Sequence, residues 1–270
     1  MRDYLYTEHL IEERGFIDDI SLIRFNLKNN KEKIPTIIMY HGWGSNKESQ
    51  RLRAFILANL GYQVIIPDAI YHGERNRLKK YDAKTSTKYF WPTILNNIEE
   101  AKKLLDYCIM HYNVDPDKIG IIGHSMGGFT AAGVFTYNEQ IKTVVILNGS
   151  FNWKQANQML KKMIGLEDNN SFVEEEKKVN LIDPMNNMEL ILDRPVLLLH
   201  GSHDSVVNIE SQRLFFEEVK PQYSDKSLIQ LIEYNNLNHF VTTNMMEEAA
   251  IWFKKLGELY ETIDWAYMSK

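Results

Sequence analysis

A single cysteine, Cys108, stands in 270 residues, so no disulfide forms within the chain and its thiol fits a reducing compartment. It falls in the helical stretch AKKLLDYCIMHY, which predicts a buried, inert thiol. Long apolar runs are also absent. No window approaches the eighteen or so apolar residues that a membrane span needs. The opening residues, MRDYLYTEHLIEERG, put a charge in every turn where a secretory leader would have an apolar centre. An excess of one charge is missing too: 31 Lys and Arg face 36 Asp and Glu, for a net −5. Segments such as KEKIP and KKVN read as solvated edges, not as a basic block. That balance argues against nucleic acid or an anionic membrane as partner. Together these absences predict a soluble cytoplasmic protein.

What is present points to an α/β architecture. Apolar residues make up 44% of the chain, enough for a sizeable core in one large domain. Short apolar runs alternate with helical patterns, as parallel strands joined by crossover helices do. The expected strands are 20–28, 35–41, 62–68, 118–123, 142–148, 195–201 and 227–234. Most are continuously hydrophobic, which implies burial on both faces. The first alternates and is polar-rich, so it belongs near an edge, in an antiparallel hairpin with residues 4–11. Helices are expected at about 48–60, 91–112, 126–138, 208–220 and 244–262, with Pro92 in a first turn.

Residues 149–193 break this rhythm, being too long for a simple connection. They hold an amphipathic piece at 153–164 and a charged piece at 172–179. Two readings fit: a small helical cap or lid over the C-terminal edge of the sheet, or a decorated surface excursion.

The most informative stretch is KIGIIGHSMGGFTAAGVF (118–135), where Ser125 sits between Gly123 and Gly127 and Gly128 follows. A buried strand runs into G-x-S-x-G and a helix follows, which is the context of a nucleophile elbow. The strained turn lifts the hydroxyl to the rim of the sheet, and the helix N-terminus favours developing negative charge. Taken alone, the same pattern also suits a Gly-rich turn of a nucleotide-binding fold.

A serine hydroxyl needs a base, and the base needs a carboxylate to fix its tautomer. The order expected along the chain is Ser, acid, His. PVLLLHGSHDSVVNI supplies Asp204 just past one buried strand, and LIEYNNLNHFVT supplies His239 just past the next. A solvated aspartate and a capping histidine are the plainer reading of that pair. Rival residues fit less well. His203 belongs on the rim, His200 packs or hydrogen-bonds at a strand end, His124 points away from Ser125, and Asp183 lies inside the insertion. An oxyanion would be met by the backbone N–H of Met126 and, from the loop MYHGWGSNKE, by that of Trp43. The Trp43 ring would serve as a hydrophobic plug.

These residues carry a resemblance. The GHSMGG elbow, the His41-Gly42-Trp43-Gly44 loop, PDAIYHGER (67–75), HGSHDSVV (200–207) and Asn238-His239-Phe240 together resemble an α/β-hydrolase. Within that superfamily the chain is similar to small bacterial carboxylesterases related to dienelactone hydrolase and to the prolyl oligopeptidase catalytic domain. The resemblance implies a mostly parallel sheet of about eight strands with helices on both faces and a small helical cap, in one domain over 1–270. It implies Ser125 as nucleophile, Asp204 as acid and His239 as base, with no metal or organic cofactor. His72 and Arg75 of YHGER are expected either to contact substrate or, through a tie such as Arg75 to Asp68, to stiffen their loop. His72 and Glu74 lack a third ligand for a metal. Phe151, Trp153, Met159 and Met163 of the insertion would wall an acyl pocket or simply pack.

Two departures narrow the resemblance. Dienelactone hydrolases carry cysteine where Ser125 stands, and the propeller that precedes a prolyl oligopeptidase catalytic domain has no counterpart among the 124 residues before Ser125. The expectation is therefore a serine hydrolase of small carboxylic esters with short to medium acyl chains. An acyl-peptide or aminopeptidase activity is the alternative within hydrolysis. A non-catalytic ligand-binding protein of the same fold is the alternative outside it.

Overall fold

The structure, a computed structural model, describes residues 5–28, 30, 32–163 and 173–255. Eight strands form one sheet: β1 (Leu10–Ile17), β2 (Ile20–Leu27), β3 (Ile34–Tyr40), β4 (Gln63–Pro67), β5 (Val114–His124), β6 (Ile141–Leu147), β7 (Val196–Gly201) and β8 (Ile229–Tyr234). Their order across the sheet is β1-β2-β4-β3-β5-β6-β7-β8. The pairs from β4 through β8 are parallel, and β1–β2 and β2–β4 are antiparallel.

Seven α-helices accompany the sheet among the described residues: α1 (Arg51–Asn59), α2 (Ala83–His111), α3 (Met126–Tyr137), α4 (Trp153–Met163), α5 (Val173–Leu181), α6 (Glu210–Val219) and α7 (Thr243–Lys255). On one face Leu104, Leu105 and Cys108 of α2, Phe135 of α3 and Phe215 of α6 cover the buried side of the strands. On the other, Ala54 and Leu57 of α1 pack there with Met245, Trp252 and Phe253 of α7. Burial on both faces is what the continuous Val/Ile/Leu runs require. Cys108 lies in the first layer, and burial pushes its thiol up to about 12.

Chain order places the site. From β3 the chain steps outward to β4, then returns through α2 to β5 on the opposite flank of β3. The loops leaving β3 and β5 therefore diverge around a crevice, the switch point where open α/β sheets bind ligands. Register aligns the strand ends: Tyr40 pairs with Gly123, His124 with Leu147, and Gly201 with Tyr234. The loops after β3, β5, β6, β7 and β8 thus emerge along one edge. Among the described residues no helix is long and apolar enough to cross a membrane.

Several boundaries differ from the sequence reading, β5 for one starting at Val114 and not at 118. The partner of β2 is Leu10–Ile17, not 4–11, because a tight Asp18-Asp19 turn sets Ile17 opposite Ile20. Helix α2 begins at Ala83, two turns before 91, because the Asp82 carboxylate accepts the Thr85 N–H at 2.9 Å and caps it there. Pro92 is consequently interior, and the carbonyl it leaves without a donor belongs to exposed Lys88, where water can reach it. The part of the last expected helix beyond 255 lies outside the described residues, as does residue 164 of the amphipathic piece.

Candidate active site

Strand β5 ends at His124 and α3 begins at Met126, leaving Ser125 alone to make the turn at φ 56° and ψ −124°. A non-glycine residue here is strained, and strain of this kind persists only where neighbours over-determine it. The flanking glycines explain how. A methyl on Gly123 would fall 1.9 Å from the Gly127 carbonyl oxygen, and one on Gly127 would fall 2.3 Å from that of Tyr40. The elbow is pressed against itself and against β3, and no side chain fits at either position. Ser125 is left 8% exposed.

Two loops meet it from across the sheet edge. His239 Nε2 lies 2.8 Å from Ser125 Oγ, and His239 Nδ1 lies 2.7 Å from Asp204 Oδ2. Because a carboxylate only accepts, Nδ1 carries the proton and Nε2 is free to accept from the hydroxyl. Asp204 is well held: Oδ1 accepts the N–H groups of Val206 and Val207, both at 2.8 Å. Burial would raise its pKa, but bonds from His200, His239 and Val206 hold the carboxyl well below the usual range. His200 Nε2 donates to the Val207 carbonyl at 2.9 Å and stands 3.3 Å from Asp204 Oδ2. It braces the acid, the hydrogen-bonding one of the two roles expected for it at a strand end.

Asparagines lock the loops together. Asn238 Oδ1 accepts from the N–H of Ser205 and of His239, clamping the two loops, and Asn148 joins Gly201 N–H to the Phe240 carbonyl. His203 lies exposed on the rim beside Ser202. His124 does not simply turn away. Its ring packs 4.9 Å from that of His239, and burial, aided by His239, lowers its pKa to about 3, so the neighbour of the base stays neutral.

The loop after β3 passes beside the serine, since a methyl on Gly42 would stand 3.3 Å from Ser125 Cβ. It is cross-braced by two histidines. His41 Nε2 accepts the Ala69 N–H at 3.0 Å, and His72 Nε2 accepts the Gly44 N–H at 3.1 Å. Each must therefore carry its proton on Nδ1, which donates to the Gly42 and Ile70 carbonyls respectively. Among the described residues the N–H groups of Trp43 and Met126 find no acceptor, leaving both donors available beside Ser125.

Of the two roles expected for His72 and Arg75, the structure corrects substrate contact and favours the stiffening of their loop, since both are buried behind the wall. His72 is fully buried in the brace. Arg75 is buried against Glu100, bidentate at 2.6 and 2.9 Å, and against Asp19 at 2.7 Å. It reaches the Asp68 carbonyl but not its carboxylate, which Lys47 takes at 2.6 Å. Glu74 also pairs with Lys47, and among the described residues no group of three His, Cys, Asp or Glu converges as a metal site.

Phe151 and Trp153 are likewise corrected. Both are fully buried: Phe151 stacks on Phe215 at 4.5 Å, and Trp153 packs behind Trp91 at 5.4 Å. Asp183 explains the tuck, because its carboxylate accepts the N–H groups of Trp153 and Lys154 and anchors the start of α4. Met159 does not line the cavity, and the side chain of Met163 lies outside the described residues.

The cavity that does open at Ser125 is about 200 Å³. Phe90 and Trp91 of α2, Phe129 of α3, and Ala156 and Leu160 of α4 give it apolar walls, with Trp43, Val206 and Val207 also lining it and Asp82, Ser86 and Asn157 among its polar residues. Sequence reading had Trp91, Ala156 and Leu160 in helices without showing that α2 and α4 meet at Ser125, and its later start for α2 left Phe90 outside the helix. The signal was Asp82 three residues before Thr85, a capping pair that puts Phe90 and Trp91 inside the helix.

The buried imidazoles carry a pH signature. Burial lowers the pKa of His41 and His124, and that of His72 to about 4, whereas an unfolded imidazole titrates near 6.5. The unfolded chain therefore binds protons in that interval that the native protein refuses, and stability falls as pH drops from about 6.5 towards 4. Asp183, raised by burial, acts in the opposite sense, one group against three. The urea midpoint is expected to be lower near pH 5 than near pH 7.5; an equal or higher midpoint at the acid pH contradicts the tautomers assigned here.

Comparison with known proteins is consistent across sequence and structure. The model of the prolyl oligopeptidase family matches residues 48–257. The Bacillus subtilis protein named "Putative esterase YitV" is 31% identical over 234 residues, covering 84% of this chain and 91% of its own. Esterase YjfP of Escherichia coli is 25% identical over 251 residues, covering 91% of this chain and 98% of its own. The crystal structure of TT1662 from Thermus thermophilus superposes with a TM-score of 0.74 at 20% identity, covering 92% of this chain and 98% of that one.

Proposed function

The chain belongs to the prolyl oligopeptidase family of α/β-hydrolases, and from that premise we propose that it is a serine carboxylesterase acting through an acyl-enzyme on Ser125. It is a hydrolase by family; the triad and the preference for esters are the reading advanced here. One observation carries it: the unbroken relay from Ser125 Oγ to His239 Nε2 at 2.8 Å and from His239 Nδ1 to Asp204 at 2.7 Å.

The chemistry runs as follows. Ser125 Oγ attacks the ester carbonyl carbon while its proton passes to His239 Nε2. The carbonyl oxygen, now an oxyanion, accepts the N–H groups of Met126 and Trp43. The bond to the alcohol oxygen breaks as His239 returns the proton to it, and the acyl group stays on Ser125. Water then attacks the acyl carbon, giving a proton to His239, and the carboxylic acid leaves as Ser125 regains its hydrogen. Asp204 stays ionised throughout and stabilises the imidazolium. No step calls on a metal or an organic cofactor.

Helices α4 and α5 serve in this reading as the cap of a single domain, and the protein works in the cytoplasm on a small-molecule ester. Relatives bearing the name esterase support the preference for esters, while the family name keeps peptide cleavage as the rival. Short p-nitrophenyl esters compared with acyl-peptide p-nitroanilides decide between them. Ester kcat/KM is expected to exceed amide kcat/KM by at least about 10²-fold, since the poorer leaving group of an amide needs anchoring elsewhere on the substrate; higher amide activity overturns the assignment.

A further inference from the structure

Resting on the esterase reading, we propose that the cavity beside Ser125 is an acyl site for one group the size of a single aromatic ring, with the alcohol half of the ester facing solvent. Direction comes first. His239 must hand its proton to the departing oxygen, so the alcohol leaves on the His239 side. None of residues 235–242 lines the cavity, and on that side Phe240 is 66% exposed. The substituent on the other side of the carbonyl carbon enters the cavity.

Size comes next. An apolar cavity of about 150 Å³ admits benzene. At about 200 Å³ this cavity takes a ring and one or two further carbons, and the rest of a ten-carbon chain would have to project through its mouth into solvent. The walls do not yield readily. Phe90 meets Phe129 edge to face at 5.7 Å, and Trp91 meets Phe129 at 5.8 Å and 89°. Trp91 Nε1 donates to Asn157 Oδ1 at 3.0 Å, which fixes that ring. Such flat, stiff faces and edges suit another ring in offset or edge-on contact. The one carboxylate among the lining residues, Asp82, is exposed and turns Oδ1 to the amide and hydroxyl of Thr85, so no charged side chain stands among the aromatic walls. Ala156, buried on α4, leaves the space a ring would fill.

Two substrate series test this. With p-nitrophenol as the constant alcohol, phenylacetate is expected to exceed both acetate and decanoate in kcat/KM by roughly tenfold or more. With phenylacetyl constant, the methyl, ethyl and butyl esters are expected to stay within about threefold, because their alcohol groups lie in solvent. Ala156→Leu is expected to lower the phenylacetate-to-acetate ratio about tenfold or more. A decanoate optimum, a flat acyl series, or a wider spread among alcohols than among acyl groups overturns the proposal while acetate turnover keeps the esterase reading. Absence of turnover on every ester, together with failure of a fluorophosphonate to label the protein, removes the esterase reading and this inference with it.

Discussion

Ser125→Ala is expected to lower ester turnover by roughly 10⁴–10⁶ and to leave the urea midpoint close to that of the parent. The loss is large because the substitution deletes the atom that forms the acyl-enzyme, and among the described residues Ser125 supplies the one hydroxyl hydrogen-bonded to His239. What activity survives would come from the Met126 and Trp43 donors acting on a water attack. Stability is spared because Ala suffers the same left-handed backbone as Ser, and the deleted hydroxyl satisfies no buried partner except His239 Nε2, which is partly open to solvent. His239→Ala should lose a similar factor, and the double variant little more, because residues that act as one unit are not additive. A Ser125→Ala protein with a tenth of parental turnover contradicts the assignment of the nucleophile.

Gly123→Ala is expected to cost more in structure than any triad substitution. The new methyl would lie 1.9 Å from the Gly127 oxygen and 2.3 Å from its carbonyl carbon. Both are backbone, so neither can swing aside as a side chain would. Relief requires β5 and α3 to separate at the elbow, dragging Ser125 from His239 and loosening Gly127 from Tyr40. A destabilisation above about 4 kcal/mol belongs to this short list of causes, so the variant should be largely insoluble or melt far below the parent. Any fraction that folds should be nearly inactive. Chemical denaturation and turnover of purified Gly123→Ala check this; parental stability and activity would mean that the turn is looser than the close approach implies.

These two substitutions also mark where the sequence was most legible. Gly123, Ser125 and Gly127 announce themselves because a backbone crossing at van der Waals distance tolerates only glycine at two positions and needs a reactive atom between them. Asp204 and His239 were readable because each follows an apolar strand, the buried β7 for one and the edge strand β8 for the other, and parallel strands deliver their C-terminal loops to one edge. The sheet was readable for the same reason, down to the N-terminal hairpin, whose register escaped because a tight two-residue turn decides it. The walls of the cavity were harder. Phe90, Trp91, Ala156 and Leu160 look like ordinary helix residues, and only the three-dimensional approach of α2 to α4 turns them towards Ser125. Phe151 and Trp153 looked like a pocket wall but are drawn inward by Asp183 holding the start of α4. His72 and Arg75 illustrate the same limit: sequence left substrate contact and loop stiffening both open, and burial decides for the second, with His72 bonded to Gly44 of the loop that carries Trp43 and Arg75 tied to Glu100 and Asp19.

The most direct measurement is reaction of the native protein with a fluorophosphonate, followed by peptide mapping of the adduct. A single phosphonylated site on Ser125 is predicted, with labelling slowed strongly in His239→Ala and absent in Ser125→Ala. Labelling at another serine, or undiminished labelling when the imidazole at 239 is removed, would contradict the claim that this hydroxyl is activated by that ring.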